Sequence, residues 1–539
     1  MLIPGLEQPT SDNPDPVFGI ADVWADGGFN ARFNHRNERR YGIRLDLDSQ
    51  LTRLHRAKVG FEWNWIDLAT RNGFLDGGGG DVYQVDPQLG ALYVQDRLDL
   101  GDLVIDLGLR WDHWDPHARV PVLPGVVNCE ITPFAAIGGC REDDAPVQDA
   151  PTRSALSPRL GVAHPITDET QVRLSYGKFH QLPELRHFFQ GHLADSETLR
   201  GFFYGNPNLD YIETTAFEAG ITHLLSTNLV LDVVGYNRDR RGAIRADLFP
   251  PQTLDLRVDE VAIFTNADNG NVKGVDITLS KRFANYWSTD LAWSLQWARG
   301  TTSSPVAFVV SGFAFLFDPN NPTQFLSPPT ALSADDYDRL HTINWQFNLG
   351  FPADFRAGTL AGALFRELSL YLVYNAHSGE PYTRENLLGG GLQEDFNESR
   401  LPWVHSGDLR LVRGFDLATG LHLDLFAVVK NFLDIENVLN VHATSGQPDR
   451  FGDEVQVSRT PMIPFKYFEE GVRLDFPVAL DDIRPEFRGG VARQDLDGNG
   501  VITLEEGQEA LRRALVSNND WPFNYGEPRQ VRFGVELRF

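Results

Sequence analysis

The strongest constraint on this chain is an alternation of apolar and polar side chains that recurs in segments of about ten residues. In the last ten residues, Val531, Phe533, Val535, Leu537 and Phe539 alternate with charged residues and glycine. Because successive side chains of a strand point to opposite faces, this pattern predicts a strand with one apolar face. The same pattern predicts fourteen further strands, near residues 41–51, 55–68, 87–99, 102–115, 155–165, 169–180, 211–224, 227–240, 270–283, 286–300, 337–351, 364–377, 403–414 and 419–432.

The connections between these predicted strands alternate between short and long. Long ones lie at about 69–86, 116–154, 181–210, 241–269, 301–336, 378–402 and 433–526. Outer-membrane barrels have short turns on one rim and long loops on the other, whereas a soluble sandwich has no reason to sort its loops by length. The sequence therefore predicts an all-β fold, an antiparallel transmembrane β-barrel with about 15–16 visible strands. With Phe539 at the periplasmic rim, the long connections lie outside the cell.

Composition narrows the functional classes. The chain has 539 residues and a mean hydropathy of -0.28, and no run approaches eighteen apolar residues, which excludes an α-helical membrane protein. The net charge of -26 leaves no basic stripe for nucleic acid. Aromatic residues near strand ends predict interfacial girdles, although aromatics are also good strand formers; these are Trp63, Trp65, Trp111, Trp114, Tyr176, Tyr236, Trp287 and Trp293.

Several short segments occur in a characteristic order. They are SPRLG at 157–161 with VRLSYGKFH at 172–180, GNPNL at 205–209 with ETTAFEAG at 213–220, VKGVD at 272–276, SGEPYT at 378–383, NFLD at 431–434 and YGEPRQ at 525–530. Spread over residues 30–539 and followed by a terminal Phe, they resemble the C-terminal barrel of TonB-dependent receptors, particularly the Oar-like group. The resemblance implies an outer-membrane transporter for a scarce ligand, such as a metal chelate, glycan or peptide, and not an enzyme.

The resemblance also implies features that this sequence does not contain. The family carries a plug and a TonB-contacting segment before a barrel of about 22 strands. We expect a partial strand and loop region at 1–40 and the barrel at 41–539, with plug, TonB-contacting segment and first third of the barrel missing. The N-terminus has no signal-peptide pattern, so an exported barrel of this sequence is expected to be a gene fragment, a mature form or the product of a mis-started gene model, and we favour the fragment. Expected partners are outer-membrane lipid and lipopolysaccharide, the barrel assembly machinery reading Phe539, and the TonB complex through the missing plug.

Two other functions stay open at this point. A passive porin, or a barrel for adhesion or another structural role, would have the same strand pattern. An outer-membrane hydrolase would need a Ser–His pair that we do not identify, and no catalytic motif is present.

One local motif is sharp: DLDGNGVITLEE at 495–506 matches an EF-hand calcium loop. Gly500 permits the sharp turn at loop position 6. The predicted ligands at positions 1, 3, 5, 7, 9 and 12 are Asp495, Asp497, Asn499, Val501, Thr503 and Glu506. We predict a structural Ca²⁺ site in an insertion at 480–520, in the last extracellular loop. The alternative is a polar turn that leads into a helix with a Thr503–Glu506 capping box.

The remaining candidates are single residues in the long connections. Cys129 and Cys140 lie eleven residues apart and predict a loop disulfide in an exported protein, but two incidental thiols in a cytosolic one. His187 and His192 lie in an aromatic-rich loop and are either metal ligands or ligand contacts, or simply exposed loop residues.

Overall fold

One large sheet dominates the computed structural model, which describes residues 32–74, 80–121, 147–190, 203–249, 261–306, 317–318, 321–325, 331–384, 394–418, 420–449, 477–483, 492–517 and 524–539. The described strands are, in chain order, β1 (Arg32–Gln50), β2 (His55–Phe74), β3 (Gly80–Val85), β4 (Gln88–Asp99), β5 (Val104–Asp115), β6 (Arg119–Pro121), β7 (Val147–Asp149), β8 (Arg153–Thr167), β9 (Thr170–Gln181), β10 (Phe203–Tyr204), β11 (Ile212–Ser226), β12 (Leu229–Phe249), β13 (Val261–Ala284), β14 (Trp287–Gly300), β15 (Phe317–Asp318), β16 (Asn321–Phe325), β17 (Ser333–Ala334), β18 (His341–Gly350), β19 (Leu368–His377), β20 (Pro381–Tyr382), β21 (Ser399–Arg400), β22 (Val404–Ala418), β23 (Leu421–Lys430), β24 (Val478–Ala479), β25 (Val501–Ile502) and β26 (Gln530–Arg538).

The main sheet has eighteen strands, of which β3, β10 and β17 are short additions at one end. The long strands form an up-and-down antiparallel meander in the order β1, β2, β4, β5, β8, β9, β11, β12, β13, β14, β18, β19, β22, β23 and β26. All fifteen strands predicted by the alternation are therefore confirmed. Within the described residues β1 pairs only with β2, and β26 only with β23.

The connections are sorted by length between the two ends of the sheet as predicted, with one exception. At one end, here called the short-turn rim, six of the connections have only two to four residues: 51–54, 100–103, 168–169, 227–228, 285–286 and 419–420. A seventh connection on this rim, 351–367, is longer. The opposite end, here called the long-loop rim, carries the connections 75–87, 116–152, 182–211, 250–260, 301–340, 378–403 and 431–529.

The strand register aligns apolar side chains in rows on one face of the sheet. Leu92 lies opposite Trp111 across β4 and β5, and Leu425 lies opposite Val535 across β23 and β26. These four side chains stay between 39% and 66% exposed. A soluble fold would bury such rows, whereas a barrel wall presents them to lipid. We call this the outer face.

The opposite, inner face is polar and is crossed by ion pairs between neighbouring strands. The Arg173 guanidinium donates two hydrogen bonds to Asp232, at 2.8 and 2.7 Å. Arg238 on β12 pairs with Glu218 on β11 at 2.9 Å. Because the inner residues alternate strictly with the lipid-facing ones, the same pattern that predicts the strands also places these charges inside the barrel.

The two strands of the β12–β13 hairpin are longer than the sequence predicted. The predicted loop 241–269 is largely strand, since β12 continues to Phe249 and β13 begins at Val261. Gly242, with φ of +67°, lies at a register shift between Arg241 and Ala243. A bulge changes which residues face inward, so the period-two signal breaks there and hides the extension.

Helices are few in the described residues: α1 (Leu185–Phe189), α2 (Leu360–Phe365), α3 (Leu504–Ser517) and two single 3-10 turns, Leu480–Asp482 and Ala492–Gln494. The α2 helix explains the length of the 351–367 connection. None of the described helices is long and apolar enough to cross a membrane.

Two aromatic residues do not take part in the predicted girdles. Trp114 is fully buried, and the Tyr236 hydroxyl donates to Gln296 at 3.0 Å on the inner face. Trp65 and Trp111 do lie exposed on the outer face. Proximity to a strand end therefore does not by itself tell which face an aromatic side chain occupies.

Candidate functional site

A groove of about 730 Å³ lies on the inner face, between β1 and β12. Arg56 is neutralised by Asp48 at 2.9 Å, whereas the Arg159 guanidinium lies over the Phe179 ring at 4.7 Å. The cations along the groove are Arg56, Lys58, Arg97, Arg159 and Arg238. This lining can contact anionic or mixed-charge groups in the interior of the barrel.

A buried aromatic cluster, here called the cap core, lies at the long-loop rim. It joins β2, β3, β5 and the β11–β13 strands to α1, and its members are Ile66, Leu68, Tyr83, Val85, Trp114, Phe188, Phe189, Leu209, Tyr211, Ile244, Ala246, Ala262 and Phe264. Trp114 lies at its centre, with its ring 5.2 Å from that of Phe188. Strand alternation puts Trp114 on the same face as Asp112, so the cap core continues the inner face upward.

The GNPNL segment holds α1 against this cluster. A Cβ on Gly205 would lie 2.6 Å from backbone atoms of Phe188 and Phe189, so only glycine permits this approach. The backbone N–H of Asn206 donates to the His187 carbonyl at 2.7 Å. The Asn206 side chain donates to the Phe264 carbonyl at 2.9 Å. A segment quoted above for its family resemblance thus has a definite role in positioning the helix.

His187 lies inside the cap core and is only 4% exposed. Its ring lies 4.6 Å from that of Phe264, and neither ring nitrogen has a hydrogen-bond partner among the described residues. Burial, with a smaller effect of the Arg186 charge, lowers the pKa of His187 to about 4, so the ring is neutral at pH 7. The interpretation of His187 as an exposed loop residue is therefore wrong. His192 lies outside the described residues.

Within the part of the chain that the structure describes, three more buried polar atoms of the cap core region lack a hydrogen-bond partner: Thr70 Oγ1, Trp114 Nε1 and the Tyr211 hydroxyl. Burial also raises the pKa of Tyr211. An unsatisfied buried polar group costs about 1–3 kcal/mol. The cap core therefore combines tight aromatic packing with several donors and acceptors that could still make a hydrogen bond.

The residues of the predicted calcium loop form a tight turn that gathers three carboxylates. Ligand atoms of Asp495, Asp497 and Glu506 all lie within 4.8 Å of one another. The Asp495 carboxylate accepts backbone N–H bonds from Gly498 at 2.9 Å and from Gly500 at 2.8 Å. Both glycines have positive φ, +74° and +83°. The sharp turn at Gly500 is therefore present, while the binding of calcium by these residues stays a prediction.

The helix-capping alternative is formed as well. The Thr503 backbone N–H donates to Glu506 Oε2 at 2.9 Å, and the Glu506 N–H donates to Thr503 Oγ1 at 3.2 Å. The Thr503 hydroxyl also donates to Glu506 Oε2, at 2.8 Å. The bonds that the Glu506 carboxylate accepts from the Thr503 backbone and hydroxyl lower the pKa of Glu506. The other oxygen, Oε1, lies 3.3 Å from the Asp497 nitrogen. One carboxylate therefore caps α3 and faces the loop at the same time.

A small hydrophobic core anchors this loop. β25 pairs antiparallel with β24, and Val478, Ile483 and Ile502 are almost fully buried. Because Ile502 lies between the predicted ligands Val501 and Thr503, its burial fixes the middle of the loop on a stable element.

The structure does not test the predicted roles of the other site residues. Cys129 and Cys140 lie outside the described residues, so their disulfide stays a prediction. Phe539 follows directly after β26 and is fully exposed. Its role as an assembly signal stays a prediction too.

Comparison with known proteins identifies the family. A family model described as TonB dependent receptor-like, beta-barrel, matches residues 10–432. The chain belongs to this family. It is accordingly a barrel of the bacterial outer membrane and of a family of transporters, not enzymes, as the sequence predicted. No curated protein matches it by sequence.

The chain is also similar to solved structures at low sequence identity. The outer membrane transporter YddB from Escherichia coli has a TM-score of 0.50 and 12% identity, over 75% of this chain and 51% of YddB. The FrpB iron transporter from Neisseria meningitidis (TM-score 0.45, 14% identity, 75% and 52% covered) and the Serratia marcescens hemophore receptor HasR (TM-score 0.44, 16% identity, 75% and 57% covered) are more distant in structure. The chain spans about half the length of these proteins.

Further family-like segments of this TonB-dependent receptor barrel fasten the long-loop rim. In the 431–434 segment, the Asn431 side chain donates to the Ile435 and Glu527 carbonyls, both at 3.1 Å, and so ties the end of β23 to the start of β26. In the 378–383 segment, Glu380 accepts from Arg339 at 2.6 Å. The contacts of Asn431 with Glu527 and of Arg339 with Glu380 join residues far apart in sequence, so no local pattern could predict them.

Proposed function

We propose that this TonB-dependent receptor barrel takes up a scarce ligand by energised transport, and that the cap core is the part that responds to the ligand. The observation that carries this proposal is the buried aromatic cluster at the long-loop rim, with the unpartnered polar atoms of His187, Tyr211 and Trp114 inside it. A ligand that supplied partners to such groups would offset their desolvation and could shift the packing of α1.

The same observation disfavours the alternative of a passive porin. A porin keeps a water-filled lumen open to small solutes, whereas here apolar side chains pack together on the inner face at the long-loop end. The charged groove below them would then contact the ligand after it has passed the cap core.

The remaining partners are part of the same proposal. We propose that a plug and a TonB-contacting segment complete the receptor and transmit the energy, and that the whole barrel has about 22 strands. We further propose that lipopolysaccharide surrounds the outer face and that the barrel assembly machinery reads Phe539. The described sheet has edges at β1 and β26, and such edges need partners in lipid.

The test uses the gene in its own bacterium. Deletion of the coding region for residues 32–538 should abolish saturable uptake of one nutrient from a panel of metal chelates, heme, glycans and peptides. A strain with the intact gene but without TonB should show the same loss. Uptake that continues without TonB, together with increased entry of unrelated hydrophilic solutes through the intact protein, would establish the porin alternative instead.

We also propose a structural Ca²⁺ site at residues 495–506, held by Asp495, Asp497, Asn499, Val501, Thr503 and Glu506. The gathered carboxylates of Asp495, Asp497 and Glu506 support it, because three like charges within 4.8 Å repel one another unless a cation lies between them. An affinity on the order of 10⁻⁴–10⁻³ M, typical of extracellular modules, would be sufficient.

Limited proteolysis of the full chain in detergent tests this site. Calcium should protect the segment around 489–506, and chelation should expose it while the strands stay protected. Glu506→Gln keeps an oxygen that can accept the capping bond from Thr503 but loses the bidentate charge, so it should cleave like the chelated protein. Glu505→Ala is the matched control and should behave like wild type. Equal cleavage of wild type with calcium and with chelator would show that the motif only caps α3.

A further inference from the structure

A second cluster of metal-ligating side chains lies at the opposite, short-turn rim. Ligand atoms of Glu367, Asp416 and His422 lie within 4.8 Å of one another. Glu367 ends the connection between β18 and β19, while Asp416 and His422 lie opposite each other on β22 and β23. Strand alternation puts Asp416 and His422 on the inner face. The cluster is assembled from two hairpins, so it is not a product of one local turn.

The surroundings of the His422 ring point to a metal ligand. One ring nitrogen, Nδ1, lies 2.8 Å from Asp416 Oδ1, and the other, Nε2, lies 3.1 Å from Asp424 Oδ1. The Asp424 side chain is more than nine-tenths buried. A histidine that binds a metal usually donates its other N–H to a carboxylate in this way, which fixes the tautomer. With its proton on Nε2, His422 would turn the Nδ1 lone pair toward Asp416.

His422 Nδ1 and Asp416 Oδ1 are 2.8 Å apart, which is also a hydrogen-bond distance. Two ligand atoms at about 2.0–2.2 Å from one tetrahedral ion lie roughly 3.4 Å apart, so binding of the ion needs an outward movement of about 0.6 Å by the exposed Asp416 side chain. Gly414 makes the space for the ring, because a Cβ there would lie 3.0 Å from His422 Nε2.

The charge of the adjoining cavity supports a divalent ion. The cavity has a volume of about 320 Å³ and is lined by three carboxylates, of Glu367, Asp424 and Glu536, and by two guanidiniums, of Arg410 and Arg538. Asp416 does not line the cavity itself but lies beside His422, which does. With Asp416 included, four negative charges stand against two positive ones. A divalent cation would balance the difference of two.

We propose that Glu367, Asp416 and His422 bind a first-row divalent transition metal of the Zn²⁺ type. Imidazole nitrogen suits such ions, whereas Ca²⁺ and Mg²⁺ prefer ligand sets made of oxygen. A water molecule in the cavity would complete the four ligands. Asp424 orients His422 and also pairs with Arg538 on β26. The ion therefore fastens the β18–β19 connection and the β22–β23 turn, and through Asp424 it reaches the last strand.

Binding to the full chain in detergent micelles tests the site, with Zn²⁺ measured by calorimetry and Co²⁺ by its visible absorption. We expect one Zn²⁺ per chain that Ca²⁺ does not displace. His422→Ala should weaken this binding at least tenfold, and Asp424→Asn should weaken it about 10–100-fold while the stoichiometry is kept. The Co²⁺ complex of the wild type should show absorption bands of a four-coordinate ion, and His422→Ala should lose them.

A matched control is available at another short turn. His55 lies 2.8 Å from Asp96, and no third metal-ligating side chain of the described residues joins this pair, so His55→Ala should leave Zn²⁺ binding unchanged. If His422→Ala alters the far-ultraviolet circular dichroism, that variant is misfolded and Glu367→Gln replaces it as the test. Glu367→Gln should also weaken Zn²⁺ binding at least tenfold. Unchanged affinity in the folded variants, an equal loss in His55→Ala, or no saturable binding by the wild type would overturn the proposal.

Discussion

Trp111 and Trp114 lie three residues apart on β5, yet they belong to two different kinds of structure. Trp111 is on the outer face and 39% exposed, whereas Trp114 is fully buried in the cap core. The outer row of the wall has no protein layer packed over it, so its burial depends on lipid. The cap core buries its side chains within the protein, as a soluble domain does. The same strand, β5, therefore presents Trp111 to lipid on its outer face and, three residues later, buries Trp114 in the cap core on its inner face.

This difference has a thermodynamic consequence. A cavity made in a packed core lowers the free energy of unfolding strongly, because the neighbouring side chains relax into it only partly. A wall residue that faces lipid leaves a gap that acyl chains can fill. The cap core should therefore respond to substitution and pH as a separate unit, while the wall should be insensitive to both.

Trp114→Ala is expected to have the largest effect. Removing a buried tryptophan should lower the free energy of local opening of the cap core by about 3–5 kcal/mol. Hydrogen exchange of α1 should accelerate accordingly, while the amides of β22 and β23 keep their protection. Trp111→Ala, the matched control, should change exchange in α1 only slightly. Equal acceleration by both variants would mean that the wall and the cap core form one cooperative unit.

Acidification should open the cap core through His187. Its pKa is about 4 in the folded protein and about 6.5 when exposed, so the opened form binds the proton first as the pH falls. The contribution of the neutral ring is fully present above pH 6.5. It decreases between pH 6.5 and 4, by roughly 3 kcal/mol in total.

Hydrogen exchange in α1 as a function of pH, corrected for intrinsic exchange rates, measures this effect. His187→Phe should remove the extra opening below pH 6.5 because it keeps a ring but cannot take up a proton. His164→Ala, at an exposed histidine of the short-turn rim, should keep the wild-type pH response. A His187→Phe variant that still opens with acid would assign the response to other groups.

The difference between wall and cap core also explains how much the sequence could predict. Wall strands such as β26 were predicted because their alternation is local, and the register then follows from the short turns. The calcium-type loop was predicted for the same reason, since its residues are consecutive. Their ability to bind the ion stays a prediction.

The cap core and the short-turn cluster could not be predicted in this way. Ile66 on β2 and Phe264 on β13 belong to one cluster although 198 positions separate them in the sequence, and the alternation of β5 does not show that Trp114 is buried in that cluster. His187 looked like a loop residue because the five-residue α1 has too few residues for a helical period. Glu367 and His422 are 55 positions apart, and nothing in the intervening sequence marks them as neighbours.

Substitution of Phe539 should change the free energy of unfolding least of all, so its effect on assembly can be measured separately from folding. Its side chain is fully exposed, so Phe539→Ala removes no packing and should change the unfolding free energy by less than about 0.5 kcal/mol. Its expected role is recognition, because an aromatic that closes an alternating terminal strand presents a ring that the assembly machinery can bind. With an export signal attached, Phe539→Ala should reduce the amount of protein in the outer membrane, while Phe539→Tyr, which keeps the ring, should not. Denaturant unfolding in micelles should be the same for all three proteins. Equal outer-membrane amounts of Phe539→Ala and wild type would show that the last ring is only another exposed side chain of the wall.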